Sequence, residues 1–169
     1  MGRYGPQVAV PRILETYRRL GIKQSFFIPS WCIETYPDAI EAILAGGHEI
    51  GHHGYLHEDP IDSPDQRRWF EKALEAHRKY CGGNPAGYRA PVYNINQEVV
   101  DLLIEHGFRY DSSMMADDIP YSLETAHGKL WEMPVHWGTD DWPPFAHYAE
   151  IGYMMPVKAP STGLASFWE

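Results

Sequence analysis

Long apolar runs are missing from this sequence. No stretch approaches the roughly 20 residues that a membrane span needs. The opening Met-Gly-Arg-Tyr-Gly-Pro lacks the apolar core of a signal peptide. Positive charge is also scarce. Fourteen Lys and Arg stand against 23 Asp and Glu, a net charge of −9, and no basic patch stands out. Nucleic acid and anionic membrane surfaces are therefore excluded as expected partners. Cysteine occurs only at Cys32 and Cys81, far apart and in no CxxC pair. Two reduced thiols suit a cytoplasmic protein. There is no internal repeat and no low-complexity tract. No G-x-G-x-x-G follows a strand, so no dinucleotide fold is expected. No G-x-S-x-G elbow surrounds Ser112-Ser113, so neither serine reads as a nucleophile.

What is present is enough for a folded domain. The chain has 169 residues, 44% apolar and 14% aromatic. That composition reads as one globular domain over 1–169 with a real core.

Histidine is concentrated. Four of the nine fall between His48 and His57, among the glycines Gly46, Gly47, Gly51 and Gly54. Neutral imidazole is a common metal ligand. Two pairs at i, i+4 overlap here. His48 and His52 bracket Glu49 in a literal H-E-x-x-H, and His53 and His57 form a second pair. The zincin motif works only on a helix, where i and i+4 share a face. Each interior glycine costs a helix about 1 kcal/mol relative to Ala, and Ile50 prefers a strand. The segment is therefore read as a strand over Glu49–His53. His48, Ile50 and His52 then face one way, and Glu49, Gly51 and His53 the other. At least one of His48 and His52 is expected to be structural. His53 and His57 fall at the strand's C-terminal end and in the loop after it, where α/β folds place their chemistry.

The rest of the chain supplies the frame. Arg3 to Pro11 reads as turns, followed by a helix through Ile13, Leu14, Tyr17 and Leu20 to Gly21. Gln24 to Pro29 is a buried strand and Tyr36 to Leu44 a helix. Asp62-Ser63-Pro64 caps a long helix ending near Gly82-Gly83, with Trp69, Phe70, Ala73, Leu74 and His77 inward. Tyr88 to Pro91 is short and extended. Asn96 caps a helix that stops near Gly107. Phe108-Arg109-Tyr110 is a strand that exits through Asp111-Ser112-Ser113, and Leu130 to His136 alternates like another. Loops follow, with a helix beginning near Thr162. Strand and helix alternate four times, which implies α/β architecture with a mainly parallel sheet, open or closed into a barrel. The strand ends carry His53 and His57, then Arg89, Asp111 and Asp140-Asp141-Trp142. A β/α barrel would bring all of these to one face.

Taken together, Gly47 to His57, Gly87-Tyr88-Arg89-Ala90-Pro91, Tyr110-Asp111-Ser112-Ser113, Glu132 to Trp137 and Asp140-Asp141-Trp142 resemble the polysaccharide deacetylase family (the NodB-homology domain). Within it, the chain is similar to cytoplasmic peptidoglycan-deacetylase-like proteins, cyclic imide hydrolases and allantoinase-like relatives. The resemblance implies a distorted (β/α)7 barrel and metal-dependent hydrolysis of non-peptide amide bonds. It makes His53 and His57 ligands of a divalent metal, zinc being expected. It makes Arg89 the group that orients the catalytic carboxylate. It puts Pro91 and the Val92 amide at the oxyanion, lines the pocket with Tyr93, and gives Asp141 and Trp142 to the pocket wall.

Two of the family's motifs have no counterpart. Nothing before His48 supplies its Asp pair, and the first aspartate, Asp38, falls in a helix. Its late strand bearing a catalytic histidine is expected beyond Glu169, so the barrel reads as incomplete, without its first and last strands. Two imidazoles supply two of the three protein ligands that a catalytic zinc normally has. His136 is a further ligand candidate. Trp31, Trp137, Trp142, Phe145 and Tyr148 could wall a pocket for a sugar or a flat ring. The expected substrate is an N-acetylated sugar or a small cyclic amide. The rival expectation is a non-catalytic barrel that binds ligand, or that pairs with a second copy to complete its site.

Overall fold

A computed structural model describes residues 3–140. They fall in two units, 3–134 and 135–140, each described by itself. Asp141, Trp142, Phe145, Tyr148 and the helix expected near Thr162 lie outside the described residues.

The first unit is a six-stranded sheet covered by helices. Its elements in chain order are α1 (Val10–Leu20), β1 (Ser25–Ile28), α2 (Ser30–Thr35), α3 (Pro37–Ala45), β2 (Glu49–His52), α4 (Gln66–Tyr80), β3 (Gly87–Tyr88), α5 (Gln97–Glu105), β4 (Tyr110–Asp111), β5 (Tyr121–Thr125) and β6 (Gly128–Glu132). The strand order is β1-β2-β3-β4-β6-β5. Every pairing is parallel except β5 with β6. The expected α/β architecture is therefore present, with the C-terminal strand ends on one side.

Glycine and proline set most boundaries. Gly21 ends α1 in the left-handed region at φ 67°, which only glycine enters without strain. Pro37 opens α3, where its missing N–H costs nothing. Asn96 caps α5 as expected: its Oδ1 accepts from the Val99 amide at 3.1 Å. The same side chain exchanges hydrogen bonds with the buried Gln66 of α4 at 3.0 and 3.3 Å. Losing both roles in Asn96→Ala should cost about 1–2 kcal/mol in a urea melt. An unchanged midpoint would show that the cap carries no weight.

Three expectations are corrected, and two elements went unread. Residues 4–9 are not turns: a wide helical turn over Gly5–Ala9 runs straight into α1. Asp62-Ser63-Pro64 does not cap α4, which starts at Gln66 after Asp65 with no side-chain cap. The strand near Leu130 stops at Glu132 and is half of a hairpin with β5. The β5 segment Tyr-Ser-Leu-Glu-Thr is short, and only its leucine is aliphatic, so its strand pattern did not register. The helix α2, six residues after Pro29, also went unread.

Strand alternation places the core. Ile50, His52, Tyr88, Asp111, Leu130 and Glu132 are buried on the helix-covered face. Ile33, Ile40, Ile43 and Ile50 form one apolar cluster, joined by Val10, Leu14 and Phe26. Phe70, Leu74, Tyr88, Val99, Leu102, Leu103, Phe108 and Leu130 form the other. His48 and His52 are both structural, where this was expected of at least one. The His48 ring lies 5.5 Å from Phe26 and 5.7 Å from Tyr17, and its Nδ1 accepts from the Gln24 amide. His52 is buried among Phe70, His77, Tyr88 and Phe108. No H-E-x-x-H helix exists.

The opposite face of the sheet is a row of aromatics and glycines. In register across four strands stand Phe27, Gly51, Gly87 and Tyr110. Gly51 has an ordinary strand backbone, so its reason is space. A Cβ there would lie 2.6 Å from the Phe27 ring, and one at Gly87 would lie 2.0 Å from Tyr110. The two rings meet edge to face over these glycines, 6.4 Å apart.

Candidate active site

The loop after β2 carries the second histidine pair. Gly54 turns the chain at φ 71°, and the Glu58 carboxylate then takes the Tyr55 amide at 2.9 Å and the Leu56 amide at 2.6 Å. The Gly54 and Tyr55 carbonyls accept from the Ser30 and Trp31 amides at the exit of β1, and the Tyr55 hydroxyl donates to Glu34. This tethering holds His57 at φ 65°. A non-glycine residue in that region costs on the order of 1–3 kcal/mol and persists only where its surroundings impose it. The His53 and His57 rings are 4.9 Å apart and 74° to each other.

His53 also touches the third strand. Its Nδ1 lies 2.7 Å from the Arg89 carbonyl. A carbonyl can only accept, so Nδ1 carries the hydrogen and Nε2 keeps its lone pair. Burial, the largest cause, holds the imidazole's pKa down at about 4, with His57 and Arg89 adding to it against the Arg89 carbonyl bond. The ring is neutral at pH 7, the state in which it can ligate a metal.

Arg89 follows β3 directly, its amide bound to the His52 carbonyl. Its guanidinium lies over the Phe27 ring at 4.4 Å and donates to Ser112 twice, from Nε to the carbonyl at 3.0 Å and from Nη2 to Oγ at 2.7 Å. Planar, two-pronged donation of this kind is particular to arginine. Among the described residues the serine loop holds the guanidinium.

Pro91, Val92 and Tyr93 form a single tight turn after Arg89. Val92 stands at φ 51° and Tyr93 at φ 60°, Val92 being half exposed. For a β-branched residue this is a genuine outlier. His57, Val92 and Tyr93 are the three non-glycine residues with positive φ among the described residues. All three are positions singled out in the sequence for chemistry.

Other expected residues go elsewhere. Asp111 is fully buried on the helix-covered face and does not join His53. Its Oδ1 accepts from Ser113 Oγ at 2.7 Å, and that same hydroxyl accepts from the Ala90 amide at 2.8 Å. Asp38 is exposed in the first turn of α3, as expected. Trp31 is 44% exposed, next to the Tyr55 carbonyl that its amide binds. In the second unit, His136 accepts from the Gly138 amide at the start of a turn over Trp137–Thr139.

Two residues were missed in the sequence. Glu58 reads as an acid in a polar loop, yet it fastens the histidine loop. Ser112 was dismissed as a nucleophile, and its role is to seat Arg89.

The fit to a metal is incomplete. His53 and His57 suit two ligand positions by tautomer and closeness. Among the described residues no group of three His, Cys, Asp or Glu could hold an ion.

Residues 4–110 match the model of the polysaccharide deacetylase family. A peptidoglycan deacetylase of Helicobacter pylori is 31% identical, over 85% of this chain and 58% of that protein. A solved Mycobacterium smegmatis structure, described by its title within the polysaccharide deacetylases, is 36% identical with a TM-score of 0.89, over 98% of this chain and 58% of that one. A solved allantoinase is 28% identical with a TM-score of 0.74, over 82% of this chain and 47% of that one. The chain thus spans about half the length of the proteins it matches. Two histidines and an arginine at strand ends, the strained turn beside them and the matched family model agree: this chain belongs to the polysaccharide deacetylase family.

Proposed function

We propose that this chain carries part of an amide-hydrolysing site for the N-acetyl group of an amino sugar. The observation that carries the reading is the direct bond from His53 to the Arg89 carbonyl. It brings the histidine pair, the arginine and the strained Pro91–Tyr93 turn together at the C-terminal ends of β2 and β3. The named activity of the Helicobacter pylori relative supports the substrate class.

In this reading His53 and His57 are two ligands of a divalent ion, zinc. Held there, zinc would lower the pKa of a water to about 7 and polarise a carbonyl. The chain's own residues do the rest. The Arg89 carbonyl fixes the His53 tautomer, so that Nε2 faces outward as a lone pair. Arg89, held by Ser112, presents a fixed positive charge suited to orienting a catalytic carboxylate. The strain at Val92 turns its amide toward a developing oxyanion, where a pre-set donor contributes most. Pro91 rigidifies the turn, and Tyr93 lines the pocket. Free thiols at Cys32 and Cys81 agree with a reducing, cytoplasmic setting. No helix among the described residues is long and apolar enough to cross a membrane.

A second reading, opening of a small cyclic amide, is favoured by the likeness to the allantoinase structure. One assay separates them. The zinc-loaded full chain is given an N-acetylglucosamine oligomer and, separately, a cyclic imide. Acetate release from the oligomer is the expected result, while hydrolysis of the imide alone selects the second reading. His57→Ala should lose both bound zinc and turnover. Activity retained in that variant overturns the assignment of the site, and no turnover of either compound overturns the function.

A further inference from the structure

Behind Arg89 lies a pair of carboxyl groups with no part in the site described so far. Asp111 ends β4 and Glu132 ends β6, in register with each other, and both are fully buried. Their four oxygens can be accounted for one by one. Glu132 Oε1 accepts from the Ser113 and Met114 amides, each at 3.0 Å. Asp111 Oδ1 accepts from Ser113 Oγ at 2.7 Å, and Oδ2 from the Ser113 amide at 3.1 Å. Only Glu132 Oε2 is buried without a donor. Two bare carboxylates side by side in a dry site repel strongly. A single proton on Oε2, donated to Asp111, satisfies the last oxygen and removes one charge.

The pair leads to the site by a short path. Ser113 Oγ, held by Asp111, accepts from the Ala90 amide at 2.8 Å, next to the strained turn. The neighbouring Ser112 receives both donations from Arg89. The Arg89 carbonyl in turn binds His53. We propose that Glu132 is a positioning residue: its neutral carboxyl, hydrogen-bonded to Asp111, holds the Asp111–Met114 loop in the shape that seats Arg89 and aligns the turn after Ala90. This rests on the reading of Arg89 as part of the site.

The surroundings favour that protonated state. Burial, first, and the neighbouring Asp111 push the Glu132 carboxyl up to about 9. The titratable groups around the pair are Tyr88 on β3 and Tyr121 on β5, the latter opposite Glu132 in register. Both phenols are raised, burial coming first, and both stay neutral over the range where the pair titrates. Helix α5 contributes Val99, Val100, Leu102 and Leu103 to this core. Arg89 reaches the pair only through the two serines. A carboxyl whose folded pKa is raised stabilises the fold below its unfolded value and stops doing so as pH rises through the raised one. The arrangement is therefore intact at neutral pH and fails near pH 9.

The test reads Arg89 directly. The Nε–H resonance of Arg89 in the full chain, identified by its loss in Arg89→Lys, reports its bond to Ser112. Exchange of the Ser113, Met114 and Ala90 amides reports the loop. At pH 7 the wild type and Glu132→Gln should both protect these groups, because glutamine keeps a donor toward Asp111. As pH rises through about 9, the wild type should lose protection by roughly tenfold and the glutamine variant should not. Glu132→Ala should show the loss already at pH 7. Should that variant fail to fold, the wild-type and glutamine titrations decide alone. Identical pH dependence in those two overturns the proposal. So does a Glu132→Ala variant with Arg89 still protected. The readout needs neither metal nor turnover. A chain that behaves as expected here but hydrolyses nothing loses the proposed function and keeps this role.

Discussion

Gly87→Ala should destabilise the chain by roughly 1–3 kcal/mol, the usual cost of forcing extra volume into a packed site. The added Cβ would lie 2.0 Å from Tyr110 Cζ and 2.3 Å from its hydroxyl oxygen. The ring cannot simply swing aside. Its hydroxyl donates to Glu49 at 2.9 Å, and Glu49 also receives the Ser25 hydroxyl. Its ring meets Phe27 edge to face, and Phe27 lies under the Arg89 guanidinium. Displacing Tyr110 therefore costs packing, about 1 kcal/mol of hydrogen bond, and the support beneath Arg89. Thermal melting checks the first part. The decisive measurement is the double mutant. In a Tyr110→Ala background the new methyl has room, and Gly87→Ala should become neutral or slightly stabilising through lost backbone freedom in the unfolded chain. An undiminished loss in that background would show that the glycine answers to something other than the tyrosine.

His77→Leu should do the opposite and stabilise the protein at pH 7 by about 1 kcal/mol or more. His77 is fully buried in α4, and neither ring nitrogen has a hydrogen-bond partner. An unsatisfied buried polar group costs roughly 1–3 kcal/mol, while the parallel stack on His52 at 5.8 Å returns only about 0.5–1.5 kcal/mol. Leucine removes the penalty at similar volume. The same residue governs acid stability. Burial depresses its pKa from the unfolded 6.5 to about 4. The stabilising share is complete above pH 6.5 and is lost as pH falls from there toward 4, because the unfolded chain takes up the proton first. For His77 alone this amounts to about 3 kcal/mol across that window. Urea midpoints at pH 7, 5.5 and 4 should fall in the wild type and fall less steeply in the leucine variant. A destabilised variant with an unchanged acid slope would refute the account.

The residue types that carry periodicity were the legible ones. Ile40, Ile43, Leu102 and Leu103 place their helices because apolar spacing maps directly onto a buried face. Gly51 and Ile50 argued against a helix at His48–His52, and β2 runs through them. His53, His57 and Arg89 stood out in the sequence because their spacing and order suit metal chemistry, and the structure joins two of them by one hydrogen bond. The failures have a common physical cause. Helix α2 and strand β5 are short, and their existence depends on packing against distant residues, which no local pattern records. Ser112, Ser113 and Glu58 act through hydrogen bonds to residues 2 to 23 positions away in sequence. Asp111 was read correctly as lying at a strand end, but the alternation that placed it there also turned it inward to the helices.

Phe27, Gly51, Gly87 and Tyr110 occupy one row across four neighbouring strands, two rings folded over two empty positions. Such a row has a fixed total volume, so its members are not free to vary singly. An ancestor could gain a side chain at position 87 only after giving up the ring at 110, and the intermediate with both would be the least fit. Chains that descend from this one should therefore change these positions in pairs, or leave them alone. The glycines beside the histidines and the arginine would then be inherited for the space they leave, even in descendants that have lost the chemistry next door.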